Sequence, residues 1–272
     1  MRSASHPWRG IGAAALLLAA AGSAAAQDPA SPPKPSPVAE RQEQRTLAIA
    51  LRQFPADLNP LYASTPEAAF INGFLRRPVT AFDAKRQLVC ILCTEIPTVE
   101  NGKAQIQADG SMTVTFRLRP EARWGDGMPL TSRDIVFSWQ ALQTQAEALA
   151  QRPWANAISS VVAEDDTTFT VRWKQPRYDY NRLNDFPILP EHVERLAFRN
   201  TVAYRTSSRF VLNPQDAGLS NGPYRLIGYD AETVTLAVSP TWWGEQKPWF
   251  RQIVLKRLPD RAAVASALEQ GE

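Results

Sequence analysis

The sequence predicts an α/β fold with mixed sheets and flanking helices, and three observations carry that prediction. First, Met112, Val114, Phe116 and Leu118 alternate with Thr113, Thr115, Arg117 and Arg119, the period of two that buries one strand face and leaves the other wet. Second, Thr131 stands three residues before Asp134 at the head of an apolar run, the pattern of a capping box. Ile135, Trp139 and Leu142 then share one helical face, and the helix is expected to end before Pro153. Third, Trp124-Gly125-Asp126-Gly127-Met128-Pro129 between the two is loop chemistry, because Asp-Gly and Pro favour turns. The 272 residues, 44% hydrophobic and 21% charged, are enough chain for one or two cores.

The N-terminus reads as a cleavable leader. Arg2 and Arg9 flank a short polar region, Ile11 to Ala21 is apolar but too short to span a bilayer, and Ala24-Ala25-Ala26 supplies an A-x-A cleavage site. Residues 1–26 are therefore expected to be a signal peptide, and residues 27–44 a disordered linker rich in Pro and Ser. No cysteine lies near the cleavage site, so no lipid anchor is expected, and no other segment reads as membrane-spanning. The net charge of +3 falls close to zero without Arg2 and Arg9, and no basic stripe argues for nucleic acid.

The folded part is expected to begin at Arg45. Thr46 to Leu51 reads as an apolar strand that breaks at Pro55 and leads into a turn at Asp57-Leu58-Asn59-Pro60. Thr65-Pro66-Glu67 supplies an N-cap, a Pro at the first helical position and an early acid, for a helix through Phe70, Ile71, Phe74 and Leu75. Val79 to Asp83 and Leu88-Val89 read as strands around a turn at Lys85-Arg86. Cys90 and Cys93, the two cysteines of the chain, form C-I-L-C. A redox pair is disfavoured because no βαβ pattern surrounds them, and a metal would need more ligands. The structural readings that remain are a local disulfide across a turn or two small buried residues. Thr167 to Trp173 is a further strand with Phe169, Val171 and Trp173 on one face, and Glu164-Asp165-Asp166 before it is a solvent-exposed turn. Gly222-Pro223 forces a turn before a strand, Val234, Leu236 and Val238 alternate, Ile253 to Leu255 is a strand, and Asp260 caps a helix through Val264, Ala267 and Leu268.

Nothing in the chain carries an enzyme's signature. Gly-x-Ser-x-Gly, His-Glu-x-x-His and phosphate-cradling Gly loops are missing from the sequence. His192 is the one histidine after the leader, and a lone His beside Glu191 and Glu194 reads as a surface or capped-helix residue rather than a metal ligand.

The string from Phe116 to Trp139, F-x-L-R-P-x-x-x-W-x-D-G-x-P-L-T-x-x-D-I-V-x-S-W, resembles the signature of the periplasmic oligopeptide- and dipeptide-binding proteins of ABC transporters, extracellular solute-binding family 5. Ile188-Leu189-Pro190-Glu191-His192, Asn221-Gly222-Pro223-Tyr224-Arg225-Leu226, Trp242-Trp243-Gly244 with Lys247-Pro248, and Gly271-Glu272 are similar to further family segments in the same order. The resemblance runs over residues 46 to 272 and implies a periplasmic-binding-protein-like fold of the class II type. It also implies truncation before the second ligand-gripping lobe, since full-length members are about twice as long. On that reading residues 45–65 and 189–272 form part of lobe I, and residues 66–188 form lobe II, a smaller structural domain.

What the resemblance implies about function follows. The chain is expected to be a periplasmic substrate-binding component of an ABC importer, with a peptide as ligand and the permease subunits as partners, without a cofactor and without membrane insertion once the leader is removed. Peptide main chains are held as an added strand, side chains sit in hydrated pockets, and the two lobes close by a hinge. The carboxylate that takes the ligand's ammonium belongs to the lobe beyond Glu272. Ser64, Thr65, Phe137 and Trp242 are the ligand-contact candidates here, with core packing as the competing reading for Phe137 and Trp242. Trp124 and Asp126 are expected to be structural. A non-binding remnant or interaction module stays open, as do other family ligands: a nickel chelate, haem, an oligosaccharide or an opine.

Overall fold

The computed structural model describes residues 45–150 and 152–270. The expected signal peptide and linker, residues 1–26 and 27–44, lie outside the described residues, as do Gly271 and Glu272. The described residues belong to one of the two units into which the chain divides, Pro35–Glu272.

Three sheets organise this unit. The first contains β1 (Thr46–Leu51), β8 (Tyr224–Tyr229), β9 (Thr233–Val238) and β10 (Gln252–Arg257), in the order β1-β10-β9-β8. It is mixed: β1 runs parallel to β10 with Leu47 opposite Ile253 and Ile49 opposite Leu255, whereas β10–β9 and β9–β8 are antiparallel. The second is the hairpin β2 (Thr80–Phe82) and β3 (Leu88–Cys90). The third joins β4 (Ala104–Ile106), β5 (Met112–Arg117), β6 (Ile158–Ala163) and β7 (Thr168–Trp173) in the antiparallel order β4-β5-β7-β6.

Two hydrophobic cores go with these sheets. The alternating residues Met112, Val114 and Phe116 of β5 and Phe169, Val171 and Trp173 of β7 are buried, and the Phe116 and Phe169 rings stack at 5.2 Å where the two strands are in register. Helix α2 (Ser132–Thr144) covers this face with Ile135, Phe137 and Leu142. The helix ends before Pro153 as expected, but in two pieces. It stops at Gln145, whose side chain bonds the Tyr62 hydroxyl at 2.8 Å and the Thr201 carbonyl at 2.9 Å, and α3 (Ala146–Ala150) continues. Helices α4 (Glu191–Phe198), α5 (Tyr204–Ser207) and α6 (Arg209–Leu212) complete this core with Tyr204 and Phe210.

The second core lies on the first sheet. Helix α1 (Pro66–Leu75) starts at the Thr65 cap, whose hydroxyl accepts from the Ala68 N–H at 3.2 Å, and buries Ile71 and Leu75 against Tyr224, Leu226, Val234, Leu236 and Ile253. Helix α7 (Arg261–Glu269) follows β10, with Asp260 accepting from the Ala263 N–H at 2.9 Å.

Buried polar groups tie the segments together, because each must be satisfied within the protein. Asp134 at the third position of α2 is 3% exposed. Its carboxylate accepts from the Thr131 N–H at 2.8 Å, the Glu191 N–H at 2.8 Å and Trp124 Nε1 at 3.3 Å. The expected cap is therefore made by Asp134, and the same carboxylate also starts α4. Glu194 inside α4 is fully buried and accepts from Ser208 Oγ at 2.8 Å and the Arg209 N–H at 2.9 Å, while Ser208 Oγ accepts from Asn59 Nδ2 at 3.2 Å. Asn59 of the Leu-Asn-Pro turn is thus connected to the α5–α6 corner.

Burial raises the Glu194 carboxyl above its ordinary value, and the bonds from Ser208 and the Arg209 N–H only partly offset this. A raised folded-state value means that folding takes up a proton between the ordinary value and the raised one. This contribution is present in full below the unfolded value and is lost as pH rises through the folded one. Glu194→Gln is therefore expected to lose least melting temperature relative to wild type above that window, with the deficit widening as pH falls toward 4.5. Melting curves of the two proteins across pH 4–8 check the sign; a deficit independent of pH would contradict it.

Candidate functional site

The end of α1 and the loop before β8 meet beside the second core. Asn221 and Gly222 donate their N–H groups to the Leu75 carbonyl at 3.2 and 2.9 Å. Asn221 Oδ1 accepts from the Arg77 N–H at 2.8 Å, and its Nδ2 donates to the Arg77 carbonyl at 3.2 Å. The approach is so close that a Cβ on Gly222 would stand 2.7 Å from the Phe74 carbonyl oxygen. The Asn-Gly-Pro-Tyr segment is thus a clamp on the chain at Arg77. Its consequence is to aim the Arg77 guanidinium at Trp242, 5.5 Å from the ring centroid.

Trp242 is held from the other side. Its Nε1 donates to the Gln246 carbonyl at 2.8 Å, Lys247 Nζ donates to the Trp242 carbonyl at 3.1 Å, and the Trp243 ring lies 5.0 Å away. Gly244 is required beneath it, since a Cβ there would be 2.2 Å from the indole. Between these groups opens a cleft of about 610 Å³, lined among others by Arg77, Arg119, Glu121, Tyr224, Trp242 and Trp243. That size lies within the range of small-ligand sites. One wall carries Cys90 and Ile91 at the end of the β2–β3 hairpin. Cys90 and Cys93 are joined as a disulfide with Cα atoms 5.0 Å apart, and the Val79 carbonyl accepts from the Ile91 and Leu92 N–H groups across the same turn.

The four sequence candidates fall in three places. Trp242 lines the cleft. Ser64 and Thr65 are exposed at the far end of α1, one helix length from Arg77 and so about 15 Å away at 1.5 Å per residue. Ser64 offers a side chain to solvent, whereas the Thr65 hydroxyl serves the helix cap. Phe137 is 0% exposed, packed edge-on against Phe198 at 5.3 Å and under the Arg195 guanidinium at 4.8 Å. It occupies the core, with no surface for a ligand.

Sequence reasoning missed Arg77, Arg119, Tyr224 and Trp243 as cleft residues. The doubled Arg before Pro78 was the one local signal; the partners are brought to it only by the fold. His192 is a bonded surface residue, its Nε2 2.8 Å from Asp126 Oδ2, and Asp126 Oδ1 accepts from the Met128 N–H at 3.0 Å to close the turn. Trp124, 0% exposed, is a core residue bonded to Asp134. Among the described residues no group of three or more His, Cys, Asp or Glu side chains is arranged to hold a metal, and no helix is long and apolar enough to cross a membrane.

Known proteins are similar to this chain in sequence and in fold. Protein XP55 of Streptomyces lividans is 25% identical over 230 residues, which cover 84% of this chain and 38% of that protein. The oligopeptide-binding protein from Thermus thermophilus, complexed with a pentapeptide, superposes with a TM-score of 0.67 at 20% identity, over 85% of this chain and 44% of that one. NikZ from Campylobacter jejuni, in complex with Ni(L-His), gives 0.65 at 22% identity, over 84% and 42%. The two structures show the fold, and the chain spans about two-fifths of the length of these relatives. The model of the bacterial extracellular solute-binding proteins, family 5, matches residues 103–272, which contain α2, the Asn221 clamp and the Trp242 loop. The chain belongs to the bacterial extracellular solute-binding proteins, family 5.

Proposed function

We propose that this chain is the substrate-binding component of an ABC importer, that its solute is a peptide, and that the cleft between Arg77 and Trp242 forms part of the binding wall. The observation that carries the reading is that cleft of about 610 Å³, with a rigid indole, flanking donors and open access to water, in a chain with the fold of a pentapeptide-bound protein. A fixed aromatic face suits many side chains, and bridging waters adapt the remainder. Ser64 and Thr65 are proposed as a second contact about one α1 length away, a span that an extended chain of about five residues covers. Residues 1–26 act as the export signal, the site of action is the periplasm, and the partner is the permease of the importer. The seam between the two hydrophobic cores is proposed as the boundary between lobe I and lobe II.

Calorimetric titration of the protein at its natural length with a pentapeptide pool tests this reading. Peptide binding is expected, weakened about tenfold by Trp242→Ala, since truncating an aromatic anchor removes more than about 1 kcal/mol. Binding of a nickel–histidine chelate with no heat from any peptide would overturn it.

A further inference from the structure

The cleft has a charge pattern that says more about its ligand than its shape does. Arg119 is neutralised within the protein: its Nη1 is 3.6 Å from Glu121 Oε1 and its Nε donates to the Ile91 carbonyl at 3.0 Å. Arg77 is not. Its Nη1 donates to the Gly73 and Arg76 carbonyls at 2.7 and 3.1 Å, and among the described residues it forms no ion pair with a carboxylate. Lys247 likewise spends its ammonium on the Trp242 carbonyl. Burial pushes the Arg77 guanidinium below its usual value, with no anion to oppose it. A half-buried cation without a counter-charge costs free energy unless something else supplies the anion. Water and a ligand are the two things that reach it through the cleft.

The geometry is also fixed beforehand. Asn221 holds the Arg77 backbone on both its N–H and its carbonyl, and Gly244 with Gln246 sets the Trp242 ring. With Nη1 tied to the helix end, the remaining face of the guanidinium is a planar donor that matches a carboxylate. The indole beside it matches a flat or apolar group attached to that carboxylate. Glu245 is exposed on the loop and, among the described residues, does not pair with either cation.

We infer that this cleft is a carboxylate-binding site, with Arg77 as the counter-charge and Trp242 as the platform for the group that carries the carboxylate. This deepens the peptide reading and rests on it for the natural ligand: the carboxylate comes from an acidic side chain or from a free C-terminus. Peptides bearing such a group next to an apolar residue are then the preferred class.

The test is calorimetry on wild type, Arg77→Gln and Arg77→Lys, each checked for folding by its melting temperature. Three tripeptides separate the sources: Ala-Phe-Glu amidated at its C-terminus, Ala-Phe-Gln with a free C-terminus, and amidated Ala-Phe-Gln without a carboxylate. Phenylacetate and phenylacetamide are the small probes. Either or both carboxylate tripeptides are expected to bind at least about tenfold more tightly than the neutral one, the gain typical of a charge-assisted bond, and phenylacetate more tightly than phenylacetamide. Arg77→Gln should erase that preference, so that the carboxylate and neutral tripeptides bind alike; Arg77→Lys should retain part of it. If Arg77→Gln fails to fold, Arg77→Lys carries the comparison, with a smaller loss of the same preference expected. Arg77-dependent phenylacetate binding without any peptide binding would keep the carboxylate site and end the peptide reading. Equal peptide affinities in every arm, or a preference that survives Arg77→Gln undiminished, would keep the peptide reading and end this inference. Absence of any carboxylate preference, phenylacetate included, ends it as well.

Discussion

Asp134→Ala is expected to destabilise the protein by about 3–5 kcal/mol, the range for removing one partner of a buried charged network. Three donors lose their acceptor at once: the Thr131 N–H, the Glu191 N–H and Trp124 Nε1. Each buried donor left unpaired costs about 1–3 kcal/mol. The sum is held down because Thr131, Asp134 and Glu191 also border a surface cleft of about 340 Å³, from which water can serve some of them. Asp134→Asn keeps one oxygen in place and should cost less, about 1–2 kcal/mol. It also removes the desolvation cost of a carboxylate whose protonation burial already favours. The deficit of Asp134→Asn should therefore shrink as pH rises away from the window just above 3.8. Urea unfolding of the three proteins at pH 5 and pH 8 checks both size and sign; an alanine variant within about 1 kcal/mol of wild type, well below the range expected for three orphaned donors, would show that the network is dispensable.

The second large effect is expected at Trp124. The indole is 0% exposed in the core between the Gly-Asp-Gly turn and α2, and its truncation to alanine should cost about 3–5 kcal/mol, the range for buried aromatics. Folded domains have only about 5–15 kcal/mol in hand, so either variant removes a large share. The two are not independent, since Trp124 Nε1 donates to Asp134 Oδ2 at 3.3 Å. The double variant should fall short of the sum of the singles by about 0.5–3 kcal/mol. Strict additivity in a denaturation cycle would mean that the indole packs but does not bond.

These two residues show what the sequence could and could not say. The Thr131–Asp134 spacing announced a helix start, and β1 from Thr46 to Leu51, the Thr65 cap and the Asp260 cap were legible in the same way, because caps and period-two strands are local signals. That Asp134 also starts α4 was not legible, since Glu191 comes to it only through the tertiary fold. β6 escaped for a different reason. Its pairing with β7 shifts between Ile158 and Ser160, and that irregularity breaks the alternation by which a half-buried strand is recognised. The short helices α5 and α6 carry no periodicity at four residues each and are fixed by the buried Glu194.

The candidate site divides along the same line. Trp242 was singled out by its Trp-Trp-Gly setting, and it does line the cleft. Phe137 was singled out by its place on a recognisable helix, but its side chain points to Phe198 in the core. Beyond the doubled Arg, Arg77 carries no local sign of a site, because nothing next to it in sequence lines the cleft. Its placement depends on Asn221, far along the chain. A cleft made by one wall from residues 77–121 and another from residues 223–248 has no local signature.

Whether the solute is held against Trp242 beside Arg77 is decided by a crystal structure of the protein grown with a carboxylate-bearing tripeptide. Ligand density is expected in the cleft, with a carboxylate within hydrogen-bond distance of Arg77 and an apolar group on the Trp242 face. Ligand density elsewhere on the protein, with the Arg77–Trp242 cleft holding only water, would contradict it.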